Sequence, residues 1–273
     1  MKILIAADME GISGVVHWDH VDSQHTEYQR FRRIMTGDVN AAIRGAFEGG
    51  ADEVIVADGH DSARNILVEE LDPRARLNSG TPAPLSMVQG VDQGVDGAMF
   101  VGYHARSGAP NAILDHTWSS ERLVNVWLGG RLVGESGLNG AVCGHFNVPV
   151  IMISGDQTVC AEAVEWLGSL ETAVVKQASG RHAAECLPVT VAQQKIQAAA
   201  ARAAGRLKSG QAPPPFKLSP PITMAVEFFK SEMADKAMIY QGARRGPDRR
   251  ITYTADDMLS IYSAFRALVS LAR

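Results

Sequence analysis

Four short apolar runs recur along the chain, and each breaks off into residues capable of chemistry. KILIAA (2–7) runs into Asp8, and DEVIVADGH (52–60) runs into Asp58 and His60. GAMFVGYH (97–104) ends in His104, and VPVIMISGD (148–156) ends in Asp156. Apolar runs of this length, without alternation, read as strands buried on both faces. Helical patterns lie between them. Residues 38–48 carry apolar positions at helical spacing and stop at Gly49-Gly50. VNVWLGGRLVGE (124–135) reads as a hairpin around Gly129-Gly130, followed by helices over 136–146 and 157–168. This rhythm predicts an α/β fold: a mostly parallel sheet flanked by helices.

The pattern weakens after residue 185. An Ala- and Gln-rich helix is expected over 189–208, then a proline-rich connector, QAPPPFKLSPP (211–221). A strand-like ITMAVEFF, a basic RRGPDRR loop and a helix over 255–272 follow. The expected division is a catalytic domain at 1–185 and a smaller C-terminal α+β domain at 186–273.

Composition removes several function classes. With 26 basic and 30 acidic side chains in 273 residues, the formal charge is −4. Nucleic-acid binding through bulk charge is not expected. A hydrophobic fraction of 46% argues against disorder. Cys143, Cys160 and Cys186 are odd in number and lack a CxxC pair, so they read as reduced thiols. The N-terminal apolar run is too short for a signal peptide, and no run approaches the ~20 residues needed to cross a bilayer. A cytoplasmic protein without membrane contact is expected.

In open parallel sheets, ligands bind beyond the carboxyl ends of the strands. Asp8 and Glu10 follow the first strand two residues apart, so an extended chain aims both carboxylates the same way. His60 follows the second strand, His104 the third, and Glu135 the hairpin. Carboxylates that converge need a cation or must take up protons. Two imidazoles among them favour a borderline metal over calcium or magnesium. The set Asp8, Glu10, His60, His104 and Glu135 is large enough for two ions ~3.5–4 Å apart, with zinc the best fit and manganese or cobalt as substitutes. Asp58 is either a loop cap or a partner to an imidazole. His116, twelve residues beyond His104, suits general acid/base work or direct attack beside the metals. A rival cluster, His17, His20 and His25, lies in a loop with no buried strand to fix it, and an effect on substrate access is expected there. No G-x-S-x-G, H-E-x-x-H, Walker A loop or G-x-G-x-x-G following the first strand is present. RFRR (30–33) and RRGPDRR (244–250) read as solvated loops or subunit contacts. Arg106 is the one basic residue that stands out as a phosphate grip.

Several stretches together resemble the D-aminopeptidase family: ADMEGISG, VDS, IMT before a helix, DGH, GYHA, a histidine before a Thr/Ser pair, and VGE-x-GLN. The likeness runs in order through most of the first 190 residues, including MISGD, VKQ and CLP, and returns at EF and ADDML. The resemblance implies a binuclear zinc aminopeptidase. It implies Asp8, Glu10, His60, His104 and Glu135 as metal ligands and His116 as the catalytic histidine. It also implies a ring-stacked homo-oligomer, a decamer with an internal chamber that admits small peptides. The segment from His116 to Glu135 and the stretch 205–250 depart most from the family pattern, which bears on substrate shape, assembly and the chamber entrance. The expected function is removal of the N-terminal residue from short peptides, such as D-Ala-D-Ala. The alternatives are a binuclear amidase or phosphoesterase acting on another small metabolite, and a metal-stabilised oligomeric binding protein without turnover.

Overall fold

A strand with no polar position must be covered on both sides, and this requirement shapes the molecule. The computed structural model describes all 273 residues. In chain order the elements are β1 (Lys2–Ala7), α1 (Tyr28–Glu48), β2 (Glu53–Asp58), β3 (Ala75–Asn78), β4 (Gly97–Val101), β5 (Leu123–Leu128), β6 (Arg131–Leu132), α2 (Glu135–His145) and β7 (Val150–Asp156). Then come α3 (Gln157–Leu167), β8 (Glu171–Gly180), β9 (Ala183–Cys186), α4 (Val189–Lys208), β10 (Ile222–Phe228), α5 (Ser231–Ala237), β11 (Arg244–Arg245), β12 (Arg250–Ala255) and α6 (Met258–Leu271).

The main sheet has the order β3-β2-β1-β4-β7-β8-β9 and is parallel up to the β8–β9 hairpin. Ile3, Ile5, Val54, Val56, Met99 and Val101 pack on one face with α1 and α4. Leu4, Ala6, Ile55, Ala57, Ala98 and Phe100 face the other core, shared with α2, α3 and α6. The chain leaves β1 towards β2 on one side and later returns to β4 on the other. The β1/β4 boundary is therefore the point where strand order reverses, which is where such sheets open a crevice.

The alanines of α4 have a packing reason. A Cβ on Gly45 would lie 2.2 Å from the Gln197 carbonyl oxygen, and one on Gly49 would lie 2.4 Å from that of Ala201. Glycine on α1 and alanine on α4 let the two backbones approach closely.

The expected α/β sheet is present, but the two sheets do not divide at residues 185 and 186. Helix α4 packs on α1 and β8, and so belongs to the main sheet. The β5–β6 hairpin pairs instead with β10, in a second sheet of order β11-β12-β10-β5-β6. Each layer draws on both sides of the expected boundary. Helix α1 also begins ten residues before the expected start, at Tyr28. The RFRR cluster is thus helical: Phe31 is buried, while Arg32 and Arg33 reach Asn65 and Glu70. RRGPDRR forms β11, a turn and the start of β12. No helix is long and apolar enough to cross a membrane.

Candidate metal centre

The ends of β1 and β4 touch because glycine stands on both sides. Gly11 donates its N–H to the Gly102 carbonyl at 2.8 Å. A Cβ on Gly11 would lie 1.9 Å from the Tyr103 oxygen, and one on Gly102 would lie 2.3 Å from the Asp8 oxygen. Gly102 also has φ +75°, a conformation that favours glycine. The contact sets Asp8 and Glu10 beside His104. His60 arrives from the end of β2. Glu135 is not the end of the hairpin but the first residue of α2, and its Oε1 accepts the Trp118 N–H at 2.7 Å.

All six expected residues meet here. His60 Nδ1 lies 3.1 Å from Glu10 Oε2 and 3.6 Å from Asp8 Oδ1. His104 Nε2 lies 3.4 Å from Asp8 Oδ2 and 3.1 Å from Glu135 Oε1. His116 Nε2 lies 3.8 Å from both Glu10 Oε1 and Glu135 Oε1. The rings of His104 and His116 stack at 3.9 Å. Three sets of three ligand atoms each fall within 4.8 Å of one another: Asp8–Glu10–His60, Asp8–His104–Glu135 and Glu10–His104–His116.

Each imidazole has one nitrogen committed to the backbone and the other aimed into the cluster. His60 Nε2 donates to the Val21 carbonyl at 2.9 Å, His104 Nδ1 to Ala105 at 3.0 Å, and His116 Nδ1 to Leu114 at 2.8 Å. Such bonds fix the tautomer and orient the ring for a metal or a proton.

The electrostatics call for a cation. Asp8 is pushed up to about 7, first by burial and then by the Glu10 carboxylate. Burial works against ionisation of Glu10 as well, but the His60 charge and hydrogen bond outweigh it and hold Glu10 well below its usual range. His60 and His104 are raised well above the usual imidazole value: burial opposes this, and the carboxylates prevail. Burial also opposes ionisation of Glu135, which the His104 charge nonetheless holds low. Protons on His60 and His104 thus neutralise the acids. Burial, and then the charge on His104, lower His116. Asp8 Oδ2 and His104 Nε2 are buried without any hydrogen-bond partner. Buried polar atoms are seldom left so, and two such atoms 3.4 Å apart in a set of carboxylates and imidazoles suit a borderline divalent ion.

Asp58 takes the capping role, accepting from the Asn65 and Ile66 backbone and the Asn65 side chain. It touches His60 only indirectly, through the Asn65 bond to the His60 carbonyl. His17, His20 and His25 form no ligand set. Their neighbour Trp18 stands edge-on to His116, at 5.4 Å between ring centroids. Arg106 turns to the Ser107 carbonyl, and the cleft is lined instead by Arg122, Arg266 and Arg273. Two contributors went unassigned in the sequence: Trp118, which fixes Glu135, and Lys176, whose ammonium donates to the carbonyls of Glu10, Ile12 and Val15 at 2.7, 3.0 and 2.7 Å. A lysine inside the apolar AVVKQ run was the available signal for the second.

A profile of peptidase family M55, D-aminopeptidase, matches residues 1–267. The chain belongs to the D-aminopeptidase family. It is 36% identical to a D-aminopeptidase of Bacillus subtilis over all of this chain and 98% of that protein. Among solved structures it is similar to the zinc-dependent D-aminopeptidase DppA from Bacillus subtilis, a self-compartmentalizing protease. That match has a TM-score of 0.95 at 36% identity, covering 100% of this chain and 98% of the other. The fold expected of a family member is therefore present along the whole chain.

Proposed function

We propose that this chain is a zinc aminopeptidase that removes the N-terminal residue of short D-amino-acid peptides such as D-Ala-D-Ala, with two ions per protomer. The observation that carries the two-ion reading is Asp8. Its Oδ1 faces His60 and its Oδ2 faces His104, so one carboxylate serves two ligand sets. Glu10 and His60 would complete the first set, and His104 and Glu135 the second. A zinc ion held by these residues would supply polarisation of a peptide carbonyl and a lowered pKa for a bound water.

The chain's own groups supply the rest. Val21 and Ala105 hold the His60 and His104 rings in place. His116 keeps its proton on Nδ1, against the Leu114 carbonyl, and presents a bare Nε2. Burial favours its neutral form, so Nε2 is free to accept a proton and return it to the leaving amine. Trp118 stands beside Glu135 and helps shape a cleft of about 610 Å³, a size suited to a small peptide.

Assembly into a homo-oligomer, a decamer, belongs to the same reading. It is supported by the self-compartmentalizing relative and by large apolar side chains open on the single protomer, Ile239 at 76% and Val68 at 67% exposure. Three free cysteines fit a reducing cytoplasm.

The test is a matched assay of zinc-loaded protein on D-Ala-D-Ala and L-Ala-L-Ala, with and without chelator. Chelator-sensitive release from the D-peptide is the expected result. Equal turnover of the L-peptide would remove the stereochemical part, and no turnover of either peptide would remove the function.

A further inference from the structure

The cleft over the metal centre is not uniformly acidic. Asp8, Glu10 and Glu135 lie in it, and its lining also includes Arg122 and Arg266. These two guanidiniums differ from most others in the molecule. Arg33 pairs with Glu70, Arg131 with Glu165, Arg181 with Asp115 and Arg202 with Glu171. No carboxylate pairs with Arg122 or Arg266.

Both arginines stem from elements locked to the catalytic segment. Trp118, two residues beyond His116, packs edge-on against Tyr262 at 5.9 Å and Phe265 at 5.2 Å on α6. Arg266 follows directly on α6. Its guanidinium sits 5.8 Å over the Tyr262 ring, and one Nη1–H is held by the Pro84 carbonyl at 2.5 Å. That single bond fixes the fork and leaves its remaining donors for a ligand. Arg122 lies four residues past Trp118, half-buried at the start of the second sheet; its backbone bonds to the Ser119 carbonyl and the Phe229 N–H, and its guanidinium has no protein partner.

A short peptide is a zwitterion, with an amine at one end and a carboxylate at the other. A planar cation fork matches a carboxylate geometrically, and an unpaired fork in a cleft wall is open to one. We propose that Arg122 and Arg266 bind the free C-terminal carboxylate of a short peptide whose amino end lies at the metal centre. The inference rests on the aminopeptidase reading and narrows it. The enzyme selects di- and tripeptides by their charged far end as well as by size. A longer chain would place neutral backbone against the two arginines.

The experiment compares D-Ala-D-Ala with D-Ala-D-Ala amide on zinc-loaded protein. The amide keeps the scissile bond and the free amine but lacks the carboxylate. The wild type is expected to prefer the acid by about 10- to 100-fold in kcat/KM, mostly through KM, as for a remote charged hydrogen bond. Arg122→Gln and Arg266→Gln should each shrink that acid-over-amide ratio by about tenfold, with zinc content kept at the wild-type level. Arg122→Lys should retain part of the ratio, because it keeps the charge and loses the fork. If Arg266→Gln disturbs α6 by losing the Tyr262 stack, Arg122→Gln decides alone. A wild type that hydrolyses the amide as well as the acid overturns the proposal and leaves the aminopeptidase standing. So does a ratio unchanged in Arg122→Gln. If neither substrate is hydrolysed, this proposal and the aminopeptidase reading fall together.

Discussion

Glu10 belongs to two buried charged assemblies, with its side chain in one and its carbonyl in the other. In the metal centre, carboxylates and imidazoles crowd together and leave Asp8 Oδ2 and His104 Nε2 without partners. At Lys176, by contrast, three N–H donors meet three carbonyls, those of Glu10, Ile12 and Val15. Both assemblies are almost fully sealed from solvent. A buried charge completed by its own chain is architecture, whereas one left incomplete awaits something from outside. The second assembly holds the segment that presents Glu10 to the first.

The sharpest break in this comparison comes from Asp8. If its carboxylate serves both ligand sets, Asp8→Ala should empty both and bring peptidase activity to background. His60→Ala should lose only the ion it shares with Glu10. Elemental analysis of the two variants after equal zinc loading checks this. Equal metal content in both would mean that Asp8 is not the shared ligand.

His116 comes next. It stacks on His104 but keeps its own tautomer through Leu114. His116→Ala should keep both ions and lose about 10²- to 10⁴-fold in kcat, the usual contribution of a positioned acid/base. If an ion is lost instead, the Glu10–His104–His116 set is a ligand set and the catalytic role passes elsewhere.

The completed assembly should respond differently. Lys176→Met keeps the aliphatic stem but strands three buried carbonyls. A stability loss of about 1–3 kcal/mol is expected in urea unfolding. Because the Glu10 backbone is released, zinc affinity should also weaken by about 10- to 100-fold. Lys176→Arg should restore part of the affinity if positioning is the role. An unchanged zinc affinity in Lys176→Met would separate the two assemblies that Glu10 joins.

The metal centre was legible in the sequence because its parts are local. Asp8, Glu10, His60 and His104 each close an apolar run, and a parallel sheet gathers such ends on one edge. What lies beyond the strand ends was harder to read. Glu135 reaches the site from the first turn of α2, since the chain turns at Gly134 straight into the helix. The first turns of α1 were hidden because Arg30, Arg32 and Arg33 interrupt the apolar spacing of Tyr28, Phe31 and Met35, although they lie on the outer side of the helix. The pairing of the hairpin was hidden because nothing within VNVWL tells that its partner is β10, far along the chain. The same holds for the cleft wall, which Arg122 and Arg266 both line although they lie 144 residues apart in the chain.

The last effect concerns the proton on Lys176. Burial lowers this ammonium from 10.5 to about 8, with the Asp156 charge opposing the shift. The folded protein therefore gives up this proton at lower pH than the unfolded chain does. The stability gained by shedding this proton is fully present above about 10.5 and is lost as pH falls through about 8. At about 1.4 kcal/mol per pKa unit, the change over that window is at most about 3.5 kcal/mol. Lys176→Met lacks the proton altogether. The stability of the wild type relative to this variant should thus grow as pH rises from 8 to 10.5. If the difference shrinks instead, the three carbonyls favour the ammonium more than burial disfavours it. Lys176 would then be a completed charge in the full sense, and its contrast with the unsatisfied centre beside it would be wider still.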